Sequence, residues 1–150
     1  MKNKIYLDNC CFNRPYDNQS ILSVKIETEA KMAIQEMIKN NEIELCWSYI
    51  LDLENNNNPF QERRIEIKKW KNIANYDIEE NISILNNMNR LIMLGIKPLD
   101  SLHISCALEL HCNYFITVDK GILKKSDKIK DIFIISPIDY IINMEEQNYD

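Results

Sequence analysis

Four carboxylates of the 150-residue chain lie in predicted helices or directly after predicted strands: Asp8, Glu54, Asp100 and Asp119. Asp8 and Asp119 each follow a short apolar run that predicts a buried strand. In open α/β sheets, ligands bind in the crevice beyond the carboxyl ends of the strands. Two strands that end in Asp are therefore expected to direct two carboxylates into one cleft. Asp100 lies in the first turn of a helix opened by Pro98, and we expect it near the same edge.

Several carboxylates in one cleft imply a cation. Like charges at close range raise one another's pKa, so such a cleft is unfavourable when all its acids are ionised. Mg²⁺ and Mn²⁺ prefer oxygen ligands and retain several waters. Such an ion activates water and stabilises the charge that develops on a phosphate. The acids therefore predict a metal site for phosphodiester hydrolysis.

Each acid has a simpler interpretation when it is taken alone. An Asp after a strand is often a turn or cap residue, and Asp100 would favour the positive end of its helix. Glu54 lies six residues beyond Ser48 on a predicted helix, and Asp52 competes with it for the same role. The spacing leaves the choice between Glu54 and Asp52 open.

The elements that must position these acids alternate between strands and helices. Apolar runs predict strands at 4–7, 43–47, 114–118 and 132–135. Periodicity predicts helices at 21–39, 48–54 and 78–94, and Pro59, Pro98 and Pro137 suit the first turns of three more. Residues 9–20 predict a loop. This order indicates an α/β fold, with a parallel sheet of four to five strands covered on both faces, and one domain over residues 1–150.

The composition is that of a globular protein, with 45% hydrophobic and 27% charged residues. The chain has no apolar run long enough to span a membrane and no signal-peptide core, so cytoplasmic localisation is expected. Its net charge of -5 argues against broad electrostatic capture of nucleic acid. A carboxylate site contributes negative charge of this kind, however, and a bound cation cancels it.

The five cysteines are odd in number and contain no CxxC pair, so a disulfide framework is not expected. A zinc site would need a second ligand pair away from the helix near His103, and none stands at zinc-finger spacing. The cysteines are therefore interpreted as core thiols. His103 itself lies on an apolar helix face, which is typical of a hydrogen-bonded core histidine.

Four segments together resemble the PIN-domain family, which includes bacterial VapC-type toxins. They are 6–9 (YLDN), 48–54 (SYILDLE), 97–107 (KPLDSLHISCA) and 114–120 (YFITVDK), in the family's order and over nearly the whole chain. The resemblance places Asp8, Glu54, Asp100 and Asp119 at the family's acid positions, as catalytic residues and metal ligands. It implies a Mg²⁺- or Mn²⁺-dependent ribonuclease for single-stranded RNA, frequent homodimers and, for toxins, an antitoxin partner.

The chain departs from the family's pattern after the first acid. Asn9, Cys10 and Cys11 replace the usual small hydroxyl residues, and 12–17 forms a longer loop than most toxins have, which resembles a distinct subgroup. In this loop Arg14 is a candidate for phosphate binding, or else an Arg that fixes its own loop. Lys120 after the last acid is a second candidate for substrate binding.

Two other functions remain open. One is a PIN-like module that binds RNA or protein without cutting, which the complete set of acids disfavours. The other is a phosphatase with Asp8 as nucleophile. That interpretation is weakened because Cys10 stands where such enzymes carry a second Asp, and because no glycine-rich phosphate loop is present.

Overall fold

Five short parallel strands form one sheet in the order β3-β2-β1-β4-β5. In the computed structural model, which describes residues 2–149, the strands are β1 (Lys4–Leu7), β2 (Glu44–Ser48), β3 (Tyr76–Ile78), β4 (Tyr114–Ile116) and β5 (Phe133–Ile135). At the centre, Tyr6 of β1 lies opposite Cys46 of β2 on one side and Phe115 of β4 on the other. A sheet of this kind needs helices on both faces, which explains why the central strands are mostly apolar and buried.

Within residues 2–149, eight α-helices connect and cover these strands. They are α1 (Asn9–Asn13), α2 (Leu22–Lys39), α3 (Tyr49–Asn56), α4 (Gln61–Ile73), α5 (Ile82–Met93), α6 (Pro98–Glu109), α7 (Lys120–Leu123) and α8 (Pro137–Tyr149), with 3₁₀ turns at Arg14–Tyr16 and Ser126–Lys128. Helix α5 packs on α6, and α2 packs on α8.

The chain reverses direction across the sheet after β3. From β1 it moves outward to β2 and β3, and α5 and α6 then carry it back to the opposite side of β1, where β4 and β5 follow. The carboxyl ends of β1 and β4 therefore flank the topological switch point, the place where open α/β sheets bind ligands.

The core contains an aromatic pair within the sheet and another between the sheet and α1. Tyr6 and Phe115 stack with ring centroids 5.4 Å apart. Phe12 of α1 meets Trp47 of β2 edge to face, with centroids also 5.4 Å apart. All four are fully buried, so the short helix after β1 is fixed to the sheet by its own side chain.

The predicted α/β class is confirmed, and the four predicted strands are present with small differences at their ends. Two predictions about local structure were wrong. The loop predicted at 9–20 contains α1, which Asp8 caps. The helix predicted from residue 78 begins at Ile82, and Tyr76–Ile78 forms the edge strand β3. This strand has no buried residue, so it lacks the apolar pattern that identifies a strand.

All five cysteines are free thiols, and four of them are buried. Within residues 2–149, none of the helices is both long and apolar enough to cross a membrane.

Phe115→Ala should lower the free energy of unfolding by about 3–5 kcal/mol, because it removes a fully buried ring from the centre of the sheet. Urea unfolding followed by circular dichroism measures the change. Phe133→Ala on the neighbouring strand is a matched control, because this ring is 70% exposed and its loss should cost less than about 1 kcal/mol. Equal losses in both variants would contradict this assignment of the core.

Candidate active site

Asp8 is the buried acid at the end of β1. Its backbone N–H donates to the carbonyl of Ile116 at 2.9 Å, and its side chain is only 5% exposed. Oδ1 accepts from the N–H of Asn9 at 2.8 Å, and Oδ2 accepts from the hydroxyl of Thr117 at 2.8 Å. The carboxylate is therefore held in one orientation by Thr117, directly after β4, and by Asn9 at the start of α1.

Thr117 connects the two strand-end acids. Its fully buried hydroxyl donates to Asp8 and accepts from the backbone N–H of Asp119 at 3.0 Å. The thiol of Cys10 lies 3.4 Å from both the Asp8 carboxylate and this hydroxyl. Sequence reasoning did not single out Thr117. The signal that could have identified it is that Thr117 is the one polar residue late in the apolar run 114–118, which predicts β4.

Asp119 caps the short helix α7. Its Oδ1 accepts from the N–H of Gly121 at 2.8 Å and of Ile122 at 3.2 Å. A Cβ on Gly121 would stand 3.0 Å from this oxygen. Glycine at this position therefore gives the carboxylate room to fold back over the helix start.

Asp100, in the first turn of α6, shares a cavity with Asp119. The cavity measures about 150 Å³, and Lys97, Lys124 and Lys125 also line it. An acidic pair with three lysines around it can hold a cation on one side and a phosphate on the other.

The charge of Asp100 is poorly compensated. Its pKa is raised to about 6, mainly by burial and also by the carboxylates of Asp8 and Asp119, while His103 and Lys97 act in the opposite direction. Asp8 and Asp119 therefore both act on Asp100 electrostatically. The structure thus brings these three predicted acids into one electrostatic neighbourhood.

Glu54 reaches the site from α3, on the other side of β1. Its Oε2 accepts from the side-chain N–H of Asn9 at 3.0 Å, and its Oε1 contacts Nε2 of His103. Asp52 is engaged elsewhere, since it accepts from the indole of Trp47 at 2.9 Å and from Lys71 at 2.8 Å. Of the two rival acids, Glu54 is the one in contact with the residue that follows Asp8.

A buried chain of hydrogen bonds leads from Ser48 through Tyr6 and His103 to Glu54. Ser48 Oγ lies 2.6 Å from the Tyr6 hydroxyl, which lies 2.6 Å from Nδ1 of His103. The Glu54 carboxylate only accepts hydrogen bonds, so His103 Nε2 donates to it. Nδ1 then accepts from Tyr6, and Ser48 donates to Tyr6. The core histidine expected from the sequence is thus 1% exposed and bonded at both nitrogens.

The predicted metal must be tested against the donors that are present. Among residues 2–149, no three His, Cys, Asp or Glu side chains are gathered closely enough to hold an ion as they stand. The donors nevertheless suit a hard cation, because the charge of Asp100 is poorly compensated and Oδ1 of Asn9 is buried without a hydrogen-bond partner in the described residues. Mg²⁺ usually keeps several waters and needs only one or two carboxylates. The residues therefore fit a hydrated Mg²⁺ or Mn²⁺.

The two predicted substrate-binding residues lie in different settings. Arg14 pairs with Asp17 at 2.9 Å and with Glu27 at 3.1 Å, which is the arrangement of an Arg that fixes its own loop. Lys120 is exposed at the first position of α7, directly after Asp119. Both assignments to substrate stay predictions.

Comparison with known proteins finds similarity to solved structures. No protein-family model matches the chain, and no curated protein does. The chain is similar to a solved structure described as VapBC2 from Rickettsia felis bound to a DNA fragment from their promoter, with 14% sequence identity and a TM-score of 0.56. The similarity covers 89% of this chain and 98% of the other. At this identity it shows the fold alone, an α/β sheet consistent with a PIN-like domain.

Asp100→Asn should stabilise the protein at neutral pH in the absence of divalent cations. The pKa of Asp100 is raised from 3.8 to about 6, so the folded state holds this proton more tightly than the unfolded chain does. The associated stability is complete below about pH 4 and is lost as the pH rises through about 6. Because Asp100 is partly exposed and screened by solvent, the expected gain is on the order of 1 kcal/mol. Thermal unfolding of both proteins between about pH 4 and 8 measures it, and a gain that does not grow with pH would contradict the assignment.

Tyr6→Phe should destabilise the fold by about 1–3 kcal/mol, because it leaves Nδ1 of His103 and the Ser48 hydroxyl buried without their partner. Chemical denaturation gives the value. Tyr140→Phe is the control, since Tyr140 is equally buried and its hydroxyl has no hydrogen-bond partner within residues 2–149. If Tyr6→Phe lowers the free energy of unfolding no more than the control does, the hydrogen bonds that join Ser48, Tyr6 and His103 add nothing to stability.

Proposed function

We propose that this protein is a metal-dependent endoribonuclease that hydrolyses phosphodiester bonds in single-stranded RNA. The observation that supports this most is the proximity of Asp8, Asp100 and Asp119 at the switch point of the sheet, where Asp100 shares a cavity with Asp119 and both other acids act on its pKa. A poorly compensated carboxylate beside two other acids stabilises the apoprotein poorly but suits a divalent cation. The resemblance of the sequence segments to PIN domains agrees with this chemistry.

Asp8, Asp100 and Asp119 would hold Mg²⁺ or Mn²⁺, and Glu54 would complete the site directly or through water. The bound ion would supply Lewis acidity to the phosphate and to the attacking water. Within the protein, Thr117 keeps the Asp8 carboxylate oriented, and His103 does the same for Glu54. These two carboxylates therefore have fixed orientations before any substrate binds.

The lysines beside the acids would position the substrate. Lys97, Lys124 and Lys125 line the cavity that Asp100 and Asp119 share, and Lys120 follows directly on α7. Contacts to phosphate oxygens fix the register of a nucleic acid without reading its sequence. This basic rim also offsets the acidic net charge at the place where RNA must approach.

We further propose that the protein acts in the cytoplasm as the toxin of a toxin–antitoxin pair and forms a homodimer. The sequence resemblance to VapC-type toxins and the structural likeness to VapBC2 both support a partner protein. The second candidate is a PIN-like module that binds RNA or protein without cutting. The complete set of acids favours the nuclease, because a binding module has no need of a carboxylate cleft.

The decisive experiment is cleavage of a panel of single-stranded RNAs with Mg²⁺ or Mn²⁺. Asp8→Asn, Asp100→Asn and Asp119→Asn should each lose at least about 100-fold in kcat/KM, which corresponds to about 2.7 kcal/mol of transition-state stabilisation. Glu54→Gln should lose about 10-fold or more. EDTA should abolish cleavage by the wild type.

Asp52→Asn is the matched control, because it removes a carboxylate from the same helix as Glu54. It should keep wild-type cleavage even where its lost contacts to Trp47 and Lys71 lower stability. A second readout is thermal stability, which Mg²⁺ should raise in the wild type but not in Asp100→Asn. Unchanged activity in both Asp8→Asn and Asp100→Asn would show that the catalytic assignment is wrong.

A further inference from the structure

A second surface with its own chemistry lies between α2 and α4. It is a groove of about 300 Å³ whose lining includes Phe12, Tyr16, Lys31, Gln35, Lys39 and Trp70. Two of these polar residues are strongly buried, Lys31 with 4% and Gln35 with 6% exposed. None of the four predicted acids lines this groove, and the site described above leaves it without a role.

Three cations in and beside the groove lack acidic partners. Within residues 2–149, no carboxylate lies at ion-pair distance from Lys31, Lys39 or Arg63. The one acid that lines the groove, Glu66, is paired with Lys69 at 2.7 Å. Burial lowers the pKa of Lys31 to about 8, so the fold holds an ammonium group at a cost that an incoming anion would reduce.

Aromatic rings take the place of the missing acids. Lys31 Nζ lies 5.7 Å from the ring centroid of Phe12, and Lys39 Nζ lies 5.5 Å from that of Trp70. The guanidinium of Arg63 lies 4.0 Å from the Phe60 ring and 5.1 Å from the Tyr16 ring. Tyr16 and Phe60 are 39% and 53% exposed. Cations that rest on rings keep their N–H groups available for phosphate oxygens.

This combination matches one ligand class better than others. Proteins that bind single-stranded nucleic acid combine a positive groove for the backbone with aromatic side chains on which bases stack. An acidic peptide would use the cations but not the exposed rings. A purely apolar peptide would leave Lys31 and Arg63 unpaired. A flexible polyanion with flat bases satisfies both sets of groups.

The groove is connected to the acids through α1 and a row of amides. Helix α1 begins at its cap Asp8, and four residues later Phe12 lies in the groove. On the surface, the Asn13 amide donates to the carbonyl of Asn9 at 3.0 Å and accepts from Asn58 at 3.2 Å. Asn58 in turn accepts from the backbone N–H of Phe60 at 3.1 Å. This path links the contact point of Glu54 to the rim of the groove.

We propose that the groove between α2 and α4 is a binding site for single-stranded RNA, separate from the acids, that anchors the substrate next to the cleft. The proposal rests on the proposed ribonuclease function for its choice of substrate. Phosphates would contact Lys31, Lys39 and Arg63, and bases would stack on Tyr16, Phe60 and Trp70.

The test measures binding of fluorescent oligouridine and oligoadenosine RNA, about twelve nucleotides long, to the full chain carrying Asp100→Asn so that no cleavage occurs. Adding Arg63→Gln and Trp70→Leu should weaken binding about 10- to 100-fold. The slope of log affinity against log salt concentration should also decrease by the amount expected for about one phosphate contact. Lys130→Gln with Phe133→Leu is the matched control, because it removes an exposed cation and ring from the opposite side of the sheet and should change neither quantity.

Lys31→Met separates a binding defect from misfolding. Removing a buried ammonium without an acidic partner should raise the melting temperature, while the affinity for RNA should fall about 5-fold or more because a phosphate contact is lost. A damaged fold would instead lower both quantities. Retained affinity in Lys31→Met together with the double variant would overturn the proposal.

The outcomes also distinguish this proposal from the proposed function. Wild-type cleavage with groove variants that bind and cleave normally would overturn the groove and leave the nuclease intact. RNA binding that depends on the groove, without any cleavage, would support the groove and overturn the proposed nuclease. Groove-dependent binding of a polyglutamate peptide without RNA binding would assign the surface to an acidic protein partner and would overturn the RNA site.

Discussion

The hydrogen bond between the Thr117 hydroxyl and the Asp8 carboxylate is the contact on which the site depends. It forms only because β1 and β4 are neighbours, although more than a hundred residues separate them along the chain. The return of the chain through α5 and α6 creates this adjacency. The same hydroxyl accepts from the backbone of Asp119. One buried side chain therefore fixes the relative positions of two acids from opposite sides of the switch point.

The acids and the cations of this protein are distributed unevenly. Carboxylates lie near one another at the switch point, and the pKa of Asp100 is raised by its burial and by repulsion from Asp8 and Asp119. Lys31 shows the opposite imbalance in the groove between α2 and α4, where a buried ammonium rests on a ring. Each imbalance is unfavourable for folding and is relieved by a ligand of opposite charge. Such local costs are typical of sites that bind.

The sequence predicted those parts that depend on local pattern. Asp8 and Asp119 follow apolar runs, and Asp100 follows a helix-starting proline, so each acid was proposed as a site residue from its neighbours, and its role stays a prediction. Features that join distant segments had no local signal, including the role of Thr117, the hydrogen bonds behind Glu54 and the groove. Strand β3 was missed because it is exposed at the edge of the sheet. The different surroundings of Glu54 and Asp52 also had no local signal, because Lys71, which lies 2.8 Å from Asp52, is on another helix.

Helix α1 is only five residues long, and helices of this length have no stability of their own in water. It persists because Asp8 caps it and because Cys11 and Phe12 are buried against the sheet. The helix that separates the acids from the groove therefore exists only when the central strands are already packed. Asp8 at the cap of α1 and Phe12 in the groove therefore depend on the same packed strands for their positions.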